Sequence, residues 1–569
     1  MRPKLATLAL AACAALNLFL MPAAPVQAQV RLPALGEAES DSFSIDDERK
    51  VGEQIMREIR PDPAVVDDPV LYEYVDSIFE RLHAAARRRG DISDEAEEAF
   101  GWEPFLVNDR TFNAFALPGG YIGVHLGLIA ASGSRDEMAS VLGHELSHIT
   151  QRHIARSMVA NKHQSLISMA AMLIGLLAST RMKNGDVPEA VIMSGQASMA
   201  TGQLTFSRQM EIEADRFGEN VMTDAGFAPS GMADMFERLE SESRLNDDNA
   251  YPWLRSHPLT IERLSEARLR ARQVAPPDPA TSHITEHSLM RARARALMDT
   301  SDPALRRMQG QARMTSPLSD AERLGNLYGG VLASIELRDF ASADAMLVAA
   351  QKLMAQHAAI VAQQARDHFT APSASEPAAA PAADDGASAP ERVLVTGTVP
   401  LYPLEPEVAR DFALLRVEEA VAERSVPDIV AASAAINGLR GRPAMMARAQ
   451  AAIARASARD PAAGLALQRE TEELQTWVAE HQRDALAWTL LAQCAEPLGD
   501  KLRAVRAEAE AHAANGDLLG AIDRLHAGQR LTKQGHVDFV EASIIDTRLR
   551  EIEAQRRALG QDLHDAEHP

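Results

Sequence analysis

The amino-acid sequence predicts a mainly α-helical protein with one small β-sheet in its N-terminal half and an array of paired helices in its C-terminal half. Aromatic residues make up only 4% of the 569 residues and apolar residues 46%, a balance that favours Ala- and Leu-rich helices packed on one another. Apolar residues recur at helical spacing over most of the chain, whereas strand-like patterning is confined to residues 103–126.

The first thirty residues have the pattern of an export signal. Arg2 and Lys4 form a positively charged start, an apolar stretch follows, and small residues precede a cleavage point after Ala28. An alternative is lipid attachment at Cys13, which ends a Leu-Ala-Ala-Cys box. We therefore expect residues 1–28 to be a signal peptide that is removed on export.

The net charge and the cysteine content limit the partners and the cysteine-based sites that the chain can have. The formal net charge is -22, so the chain would repel phosphate backbones, and nucleic acid is not expected as a partner. Cys494 is the one cysteine left once the leader is removed. A single cysteine can form neither an intrachain disulfide nor a cysteine-rich zinc site, so we expect it to be a small buried apolar residue.

Local patterns predict the order of elements in the N-terminal half. They are a helix over 44–60, a helix from Asp68-Pro69, strands over 103–117 and 121–126 around a Gly119-Gly120 turn, a helix from Asp136, and a helix over 206–225 that ends at Gly226. Residues 165–178 are almost all apolar but, at about 14 residues, shorter than the ~20 of a bilayer span. They are interpreted as a core helix or, alternatively, as a membrane-facing or substrate-covering hairpin.

The C-terminal half has a different character. Residues 320–357 are expected to form a helix pair that turns near Arg338-Asp339. Residues 370–392 are rich in Ala, Pro and Ser and cannot form a core, which indicates an insertion or linker. The following Ala- and Leu-rich helices, with Gly516 at a turn, roughly fit the 34-residue tetratricopeptide pattern, and plain helical-hairpin packing is the alternative.

Residues 144–148 read His-Glu-Leu-Ser-His, a pattern typical of a helical metal site. Residues four apart lie only about 40° apart around a helix, so the imidazoles of His144 and His148 point the same way and can hold one zinc ion. Glu145 lies beside them and could take a proton from an attacking water. The alternative is a solvated polar face on an ordinary helix.

A catalytic zinc ion needs a third protein ligand and an open position. Glu211 and Asp215 are four apart on one predicted helix, so we expect Glu211 to bind the metal and Asp215 to orient a ligand histidine, a solvated helix face being the alternative. Glu213 is expected to face elsewhere, and His153 to lie off the metal-facing side. His125, in a strand near the site, is a weaker candidate for lining the cleft.

Taken together, these segments resemble the gluzincin metallopeptidases related to the CaaX prenyl protease and HtpX. The resemblance rests on the motif at 144–148, on Ser-Arg-x-x-Glu-x-Glu-Ala-Asp at 207–215, and on Asn-Ala-Phe-Ala-Leu-Pro-Gly-Gly at 113–120. It covers about residues 40–270 and is specific. The likeness of residues 320–560 to the tetratricopeptide repeats of the periplasmic members is loose.

The resemblance implies a zincin-like fold with one Zn²⁺ per chain, held by His144, His148 and Glu211, and with Asp215 supporting the histidines. In the periplasmic group, a histidine before a proline can approach the zinc ion and hold the enzyme inactive. Here that residue would be His257, and an ordinary surface-loop histidine is the alternative. A disulfide that pins the repeats in this group cannot form here, which leaves the geometry of the C-terminal half and its partners open.

The resemblance and the composition together define the expected domains. They are a signal peptide (1–28), a zinc metallopeptidase domain (29–275), a helical connector (276–319), tetratricopeptide-like helical repeats (320–560) with an insertion at 370–392, and a tail (561–569).

The expected activity is metal-assisted peptide hydrolysis in the bacterial periplasm. We expect the strand around Tyr121, Ile122 and Val124 to form a sheet edge that pairs with an extended substrate. Unfolded or misassembled outer-membrane proteins would then be the substrates, and the β-barrel assembly machinery a partner of the repeats. The alternative is a chaperone or binding module with little proteolysis.

A membrane-embedded protease is disfavoured, because no uninterrupted apolar run of about 20 residues follows the leader. Peripheral contact with a membrane stays open.

Overall fold

The computed structural model describes residues 43–160, 206–245, 251, 253–274, 283–314, 318–370, 401–533 and 538–567. Three predictions lie outside these residues. They are the signal peptide with its alternative cleavage points at Ala28 and Cys13, the apolar segment 165–178, and nearly all of the insertion at 370–392.

Helices dominate the described chain, and one four-stranded sheet lies in its N-terminal half. The strands are β1 (Val65–Val66), β2 (Glu103–Val107), β3 (Ala114–Leu117) and β4 (Tyr121–His125). The helices of the N-terminal half are α1 (Ile45–Ile59), α2 (Pro69–Arg89), α3 (Asp94–Ala99), α4 (Leu126–Ala131), α5 (Arg135–Thr150), α6 (His153–Ala160), α7 (Arg208–Asp224), α8 (Ser230–Leu245), α9 (Trp253–Ser256) and α10 (Ile261–Ala271). The remaining helices are α11 (Ile284–Met298), α12 (Asp302–Ala312), α13 (Asp320–Glu336), α14 (Phe340–Thr370), α15 (Pro406–Glu423), α16 (Val426–Ile436), α17 (Arg442–Ser457), α18 (Ala463–Glu480), α19 (Ala485–Leu498), α20 (Lys501–Ala514), α21 (Leu518–Lys533) and α22 (Phe539–Glu567).

The first two helices begin where the sequence predicts them, because each has a side-chain cap. Ser44 accepts a hydrogen bond from the backbone N–H of Asp47, whose carboxylate accepts one from the backbone N–H of Ser44, and this capping box starts α1. Asp68 accepts a hydrogen bond from the backbone N–H of Leu71 and Pro69 takes the first helical position, which starts α2.

The sheet places β4 in its interior. The strand order is β1-β2-β4-β3, and β4 pairs antiparallel with β3 across the Gly119-Gly120 turn and parallel with β2 on its other side. Tyr121, Ile122 and Val124 are therefore buried between two strands, and the prediction that they form a substrate edge is wrong. The hairpin is predicted correctly, but the strand predicted over 103–117 is two strands, β2 and β3, and the parallel pairing of β2 with β4 leaves no signal in the local pattern. The outer strand on this side is β3, which packs against α5.

The segment predicted as a connector, residues 276–319, is part of the core where it is described. Helix α11 packs on α4 and α13, with Leu289 and Ala294 fully buried. His287 lies 2.6 Å from the hydroxyl of Tyr74 and 3.1 Å from the carbonyl oxygen of Ser132. One apolar core consequently runs from α1 to α17, across the predicted boundaries.

The C-terminal half is an array of paired helices. The pair α13–α14 turns at Arg338, as predicted, and the φ of Arg338 is 56°. From α17 to α22 each helix packs on the next, and α17 also contacts α19. Cys494 lies fully buried in α19, where burial raises the pKa of its thiol to about 12. The array is a packed stack of hairpins, and its assignment to tetratricopeptide repeats stays a prediction.

One described helix is long and apolar enough to cross a membrane by length and composition alone. It is α14, over Phe340–Arg366. Its buried residues, such as Ala343, Leu347 and Ala350, face the core, whereas Val348 is 63% exposed. The sequence analysis considered only uninterrupted apolar runs, and this helix is not one, because its apolar residues are interspersed with polar ones.

A close contact between α1 and the β-hairpin turn gives a stability prediction. A Cβ on Gly52 would lie 2.0 Å from the backbone oxygen of Pro118, which cannot move without moving the turn. We expect Gly52→Ala to lower the free energy of unfolding by about 1–3 kcal/mol, measured by urea denaturation with circular dichroism.

Gly310, in α12, is the matched control, because a Cβ added there meets nothing within 4 Å. Gly310→Ala should instead raise stability by roughly 0.5–1 kcal/mol through helix propensity. An unchanged or higher urea midpoint for Gly52→Ala would contradict the described packing.

Candidate metal centre

Helix α5 carries the His-Glu-Leu-Ser-His motif through the middle of the N-terminal half. Ser134 caps its start by accepting a hydrogen bond from the backbone N–H of Glu137. His144, Glu145 and His148 lie in its C-terminal half, and none is more than 2% exposed. The alternative of a solvated polar face is thereby excluded, and three buried polar side chains require partners.

Helix α7 lies close against α5 because glycine occupies both sides of the crossing. A Cβ on Gly218 would lie 2.9 Å from the backbone carbon of Gly143, and a Cβ on Gly143 would lie 3.1 Å from the backbone oxygen of Gly218. This approach brings Glu211 and Asp215, both on α7, within reach of the histidines on α5. The predicted helix over 206–225 is confirmed as α7.

Four potential ligand atoms converge, one each from His144, His148, Glu211 and His257, all within 4.8 Å of one another. Nε2 of His144 lies 3.0 Å from Nε2 of His148 and 3.2 Å from Nδ1 of His257. The nearer carboxylate oxygens of Glu211 lie 3.6 Å, 3.7 Å and 3.1 Å from the same three nitrogens. Metal–ligand bonds of about 2.0–2.1 Å in a tetrahedron give ligand separations of about 3.3–3.4 Å, so the spacing fits a four-coordinate ion.

Hydrogen bonding alone satisfies this cluster poorly. Each imidazole directs one nitrogen at the same point, and a proton on any nitrogen can be shared with only one neighbour. A single cation at the centre would contact all four ligand atoms at once. Three imidazoles and a carboxylate form a donor set that suits zinc, and the buried residues therefore fit a bound metal ion.

The charges around the cluster favour a bound cation. Burial alone would lower the pKa of His144, but hydrogen bonds to Asp215 and Glu211 outweigh it and raise that pKa to about 9. Burial and the neighbouring histidines lower the pKa of His148 well below its usual value. Against the opposing effect of burial, His257 and His144 lower the pKa of Glu211.

Asp215 contacts the rear of His144. Its Oδ1 lies 3.0 Å from Nδ1 of His144, and Arg263 donates to both carboxylate oxygens at 2.6 Å and 2.7 Å. Arg263 also lies 3.0 Å from Glu211. The structure thus brings Asp215 to the histidine that the sequence analysis expects it to orient, and adds an arginine that holds it.

Glu145 faces the same centre from the side of β3. Its Oε2 accepts a hydrogen bond from the backbone N–H of Ala116 at 3.1 Å, and its Oε1 accepts one from the indole N–H of Trp253 at 2.9 Å. Nε2 of His257 lies 3.6 Å from Oε1. The carboxylate therefore lies between the edge strand and the segment that carries Trp253 and His257.

Residues 253–257, the covering segment, lie over the centre. Trp253 is 1% exposed, and its ring stacks on His257 at 4.9 Å and an interplanar angle of 26°. His257 is 2% exposed, so the alternative of a surface-loop histidine is wrong. Sequence analysis missed Trp253 and Arg263, because both act across more than 40 residues of chain and neither belongs to a local motif.

The remaining candidates are a pair of residues behind His148 and one histidine remote from the cluster. His153 and Glu213 lie off the metal-facing side, as expected, but His153 contacts the rear of His148 at 2.9 Å and Glu213 contacts His153 at 3.2 Å. His125 lies 3.0 Å from the hydroxyl of Thr111 and 3.5 Å from Asp109. It supports the loop before β3.

Comparison with known proteins agrees with this geometry. Residues 72–271 match Peptidase family M48. A β-barrel assembly-enhancing protease of Escherichia coli K12 is 29% identical over 316 residues, 54% of this chain and 60% of that protein, and a Vibrio cholerae protein assigned to the same type is 36% identical over 332 residues, 58% and 64% of the two chains. The mitochondrial metalloendopeptidase OMA1 of Arabidopsis thaliana is 32% identical over 161 residues, 28% and 30% of the two chains.

The chain thus spans somewhat less than two thirds of the β-barrel assembly-enhancing proteases that it matches. The matched region contains both ligand-bearing helices, α5 and α7, and the covering segment with His257. Residues 72–271 thus match Peptidase family M48, and the chain is similar, over more than half of its length, to the β-barrel assembly-enhancing proteases.

Proposed function

We propose that this chain is a zinc-dependent endopeptidase of the bacterial periplasm that cleaves misfolded or stalled outer-membrane proteins. The observation that carries the proposal is the buried set of His144, His148 and Glu211 with Glu145 beside it, at separations suited to one tetrahedral ion. In the proposed roles, the two histidines and Glu211 hold the metal, Asp215 orients His144, and Glu145 is the general base.

The proposed mechanism assigns proton transfer to Glu145. A bound zinc ion would act as a Lewis acid that makes water more acidic and polarises the scissile carbonyl. Glu145 accepts the proton of the attacking water and delivers it to the leaving amine. The hydrogen bond from the backbone N–H of Ala116 holds one oxygen of Glu145 in place. The other oxygen accepts a hydrogen bond from Trp253 and would face the substrate once Trp253 moves away.

The outer strand β3 is the better candidate for substrate pairing. It lies at the end of the sheet, against α5, and Ala116 within it contacts the proposed general base. A substrate extended alongside β3 would pass the metal ligands. Only an unfolded or flexible segment can adopt that conformation, which supports misfolded envelope proteins as substrates.

The described conformation is a closed form of the proposed enzyme. His257 would fill the fourth ligand position of a bound metal ion, where a catalytic metal would need water, and Trp253 donates a hydrogen bond to one oxygen of Glu145. Hydrolysis therefore requires the segment around His257 to leave. We infer self-inhibition by this segment, with substrate or a partner protein favouring its release.

Location and partners follow from the leader and from the relatives. The N-terminal pattern of a signal peptide cleaved after Ala28 supports export, with lipidation at Cys13 as the alternative. Proteases named for enhancing β-barrel assembly are among the relatives, which supports outer-membrane proteins as substrates and the β-barrel assembly machinery as a partner. The stacked helix pairs offer the surface for that partner.

Replacing Glu145 tests the chemistry. We expect Glu145→Gln to reduce casein cleavage below detection, since a general base contributes about 10²–10⁴-fold, while the chain keeps one zinc ion. Glu98→Gln, an exposed change on α3, is the control and should cleave like the unaltered chain. Undiminished cleavage by Glu145→Gln would contradict the proposed mechanism.

Replacing His257 tests self-inhibition. We expect His257→Ala to raise casein cleavage by roughly tenfold or more, since each 1.4 kcal/mol lost from the closed form is a factor of ten, and to retain zinc through the other three ligands. His512→Ala, at a partly exposed histidine of α20, should change neither quantity. Equal cleavage before and after the His257 change would retain the protease and remove the inhibitory role.

A chaperone or binding function is the second candidate, and the closed centre together with the array from α17 to α22 favours it. Complementation of a deletion strain by Glu145→Gln separates the two candidates. Full rescue would favour the chaperone function, and loss of rescue with normal protein levels would favour proteolysis.

A further inference from the structure

We propose that His153 and Glu213 form a positioning relay that fixes the tautomer and the ring orientation of His148. The inference rests on the proposed metal-binding function. Nδ1 of His148 lies 2.9 Å from Nδ1 of His153, and Nε2 of His153 lies 3.2 Å from Oε2 of Glu213. Arg156 donates to the same carboxylate oxygen at 3.1 Å. The relay thus runs from the rear of the metal ligand to an ion pair.

The direction of each hydrogen bond follows from the end of the relay. A carboxylate only accepts, so Nε2 of His153 must carry the proton that Glu213 receives. In a neutral imidazole the other nitrogen, Nδ1 of His153, is then an acceptor. It accepts from Nδ1–H of His148, which leaves Nε2 of His148 with a free lone pair. That nitrogen is the one that faces Glu211 and His144.

Burial and packing hold this arrangement in place. His153 has no exposed surface, and neither has His148. Phe206 stacks on the ring of His148 at 3.9 Å and an interplanar angle of 24°, which restricts rotation of the ring. The carboxylate of Glu213 is held from two sides, by His153 at 3.2 Å and by Arg156 at 3.1 Å.

The two helical histidines consequently have separate supports. His144 is held directly by Asp215, which Arg263 anchors with two hydrogen bonds. Within the described part of the chain, Nδ1 of His148 instead contacts a second histidine, His153, and the carboxylate of Glu213 comes after it. Both supports end on an arginine, and both leave Nε2 of their histidine free for the metal.

The experiment measures zinc affinity of the full mature chain by competition with a chromophoric chelator, with the absorption of the Co²⁺-loaded protein as a second readout. His153→Phe preserves bulk but removes both hydrogen bonds. We expect it to weaken zinc binding about 10–100-fold, as is usual for groups that orient metal ligands. His153→Gln offers an amide oxygen to His148 and an amide N–H to Glu213, so it should stay within about threefold of the unaltered chain.

Two further variants separate a relay from general packing. Glu213→Ala changes a side chain that is 25% exposed and should fold, and we expect it to weaken zinc binding in the same direction as His153→Phe. If the residues act as one unit, the double variant should bind zinc no more weakly than His153→Phe alone. His83→Phe is the control, because it removes a similar part-buried histidine–carboxylate hydrogen bond, 3.0 Å long, to Glu97.

The outcomes are distinct. Retained zinc affinity in both His153→Phe and Glu213→Ala overturns the relay while the metallopeptidase proposal stands. Equal losses in His153→Gln and His153→Phe, or an equal loss in His83→Phe, overturn it in favour of packing. An unaltered chain that binds no zinc overturns the proposed function, and the relay with it. A loss confined to His153→Phe, Glu213→Ala and their combination, with an altered Co²⁺ spectrum in those variants, supports the relay.

Discussion

The close crossing of α5 and α7 is the constraint on which the candidate metal centre depends. Glycine at 143 and at 218 lets the two backbones approach closely, and a Cβ at 218 would force them apart. Each helix supplies an i, i+4 pair, and the crossing turns the two pairs toward each other. The donor set is therefore a property of the packing between two helices, and neither helix forms it alone.

A buried set of carboxylates and imidazoles has to be balanced in charge. Leaving one charge unpaired at such depth costs about 3–5 kcal/mol, which is why Glu211 and Asp215 both contact Arg263. Arg263 partly offsets the two carboxylates, and a bound cation would complete the balance. A divalent ion satisfies the ligand atoms better than a proton, since it reaches all of them at once. The same network that stabilises the fold thus favours metal binding.

How much of this could be predicted from sequence depends on distance along the chain. His144, His148 and the pair on α7 follow helical periodicity, so their faces could be predicted before any fold was known. The interior position of β4 could not, because its parallel pairing with β2 has no local signature. Trp253, Arg263 and the contact of His153 with His148 likewise depend on how distant segments pack. For His153, the spacing correctly excluded a ligand role but gave no indication of its contact behind His148.

The covering segment and the support of His144 are linked through one short stretch of chain. Arg263, at the start of α10, donates to the carbonyl oxygen of Pro258 at 2.9 Å while it holds Asp215. The end of the covering segment is therefore anchored to the arginine that holds Asp215. Thr260 caps α10 just beyond it. Any opening that preserves His144 has to bend the chain before Pro258, between His257 and this anchor. A bend after Pro258 would instead withdraw Arg263 from Asp215 and so disrupt the support of His144.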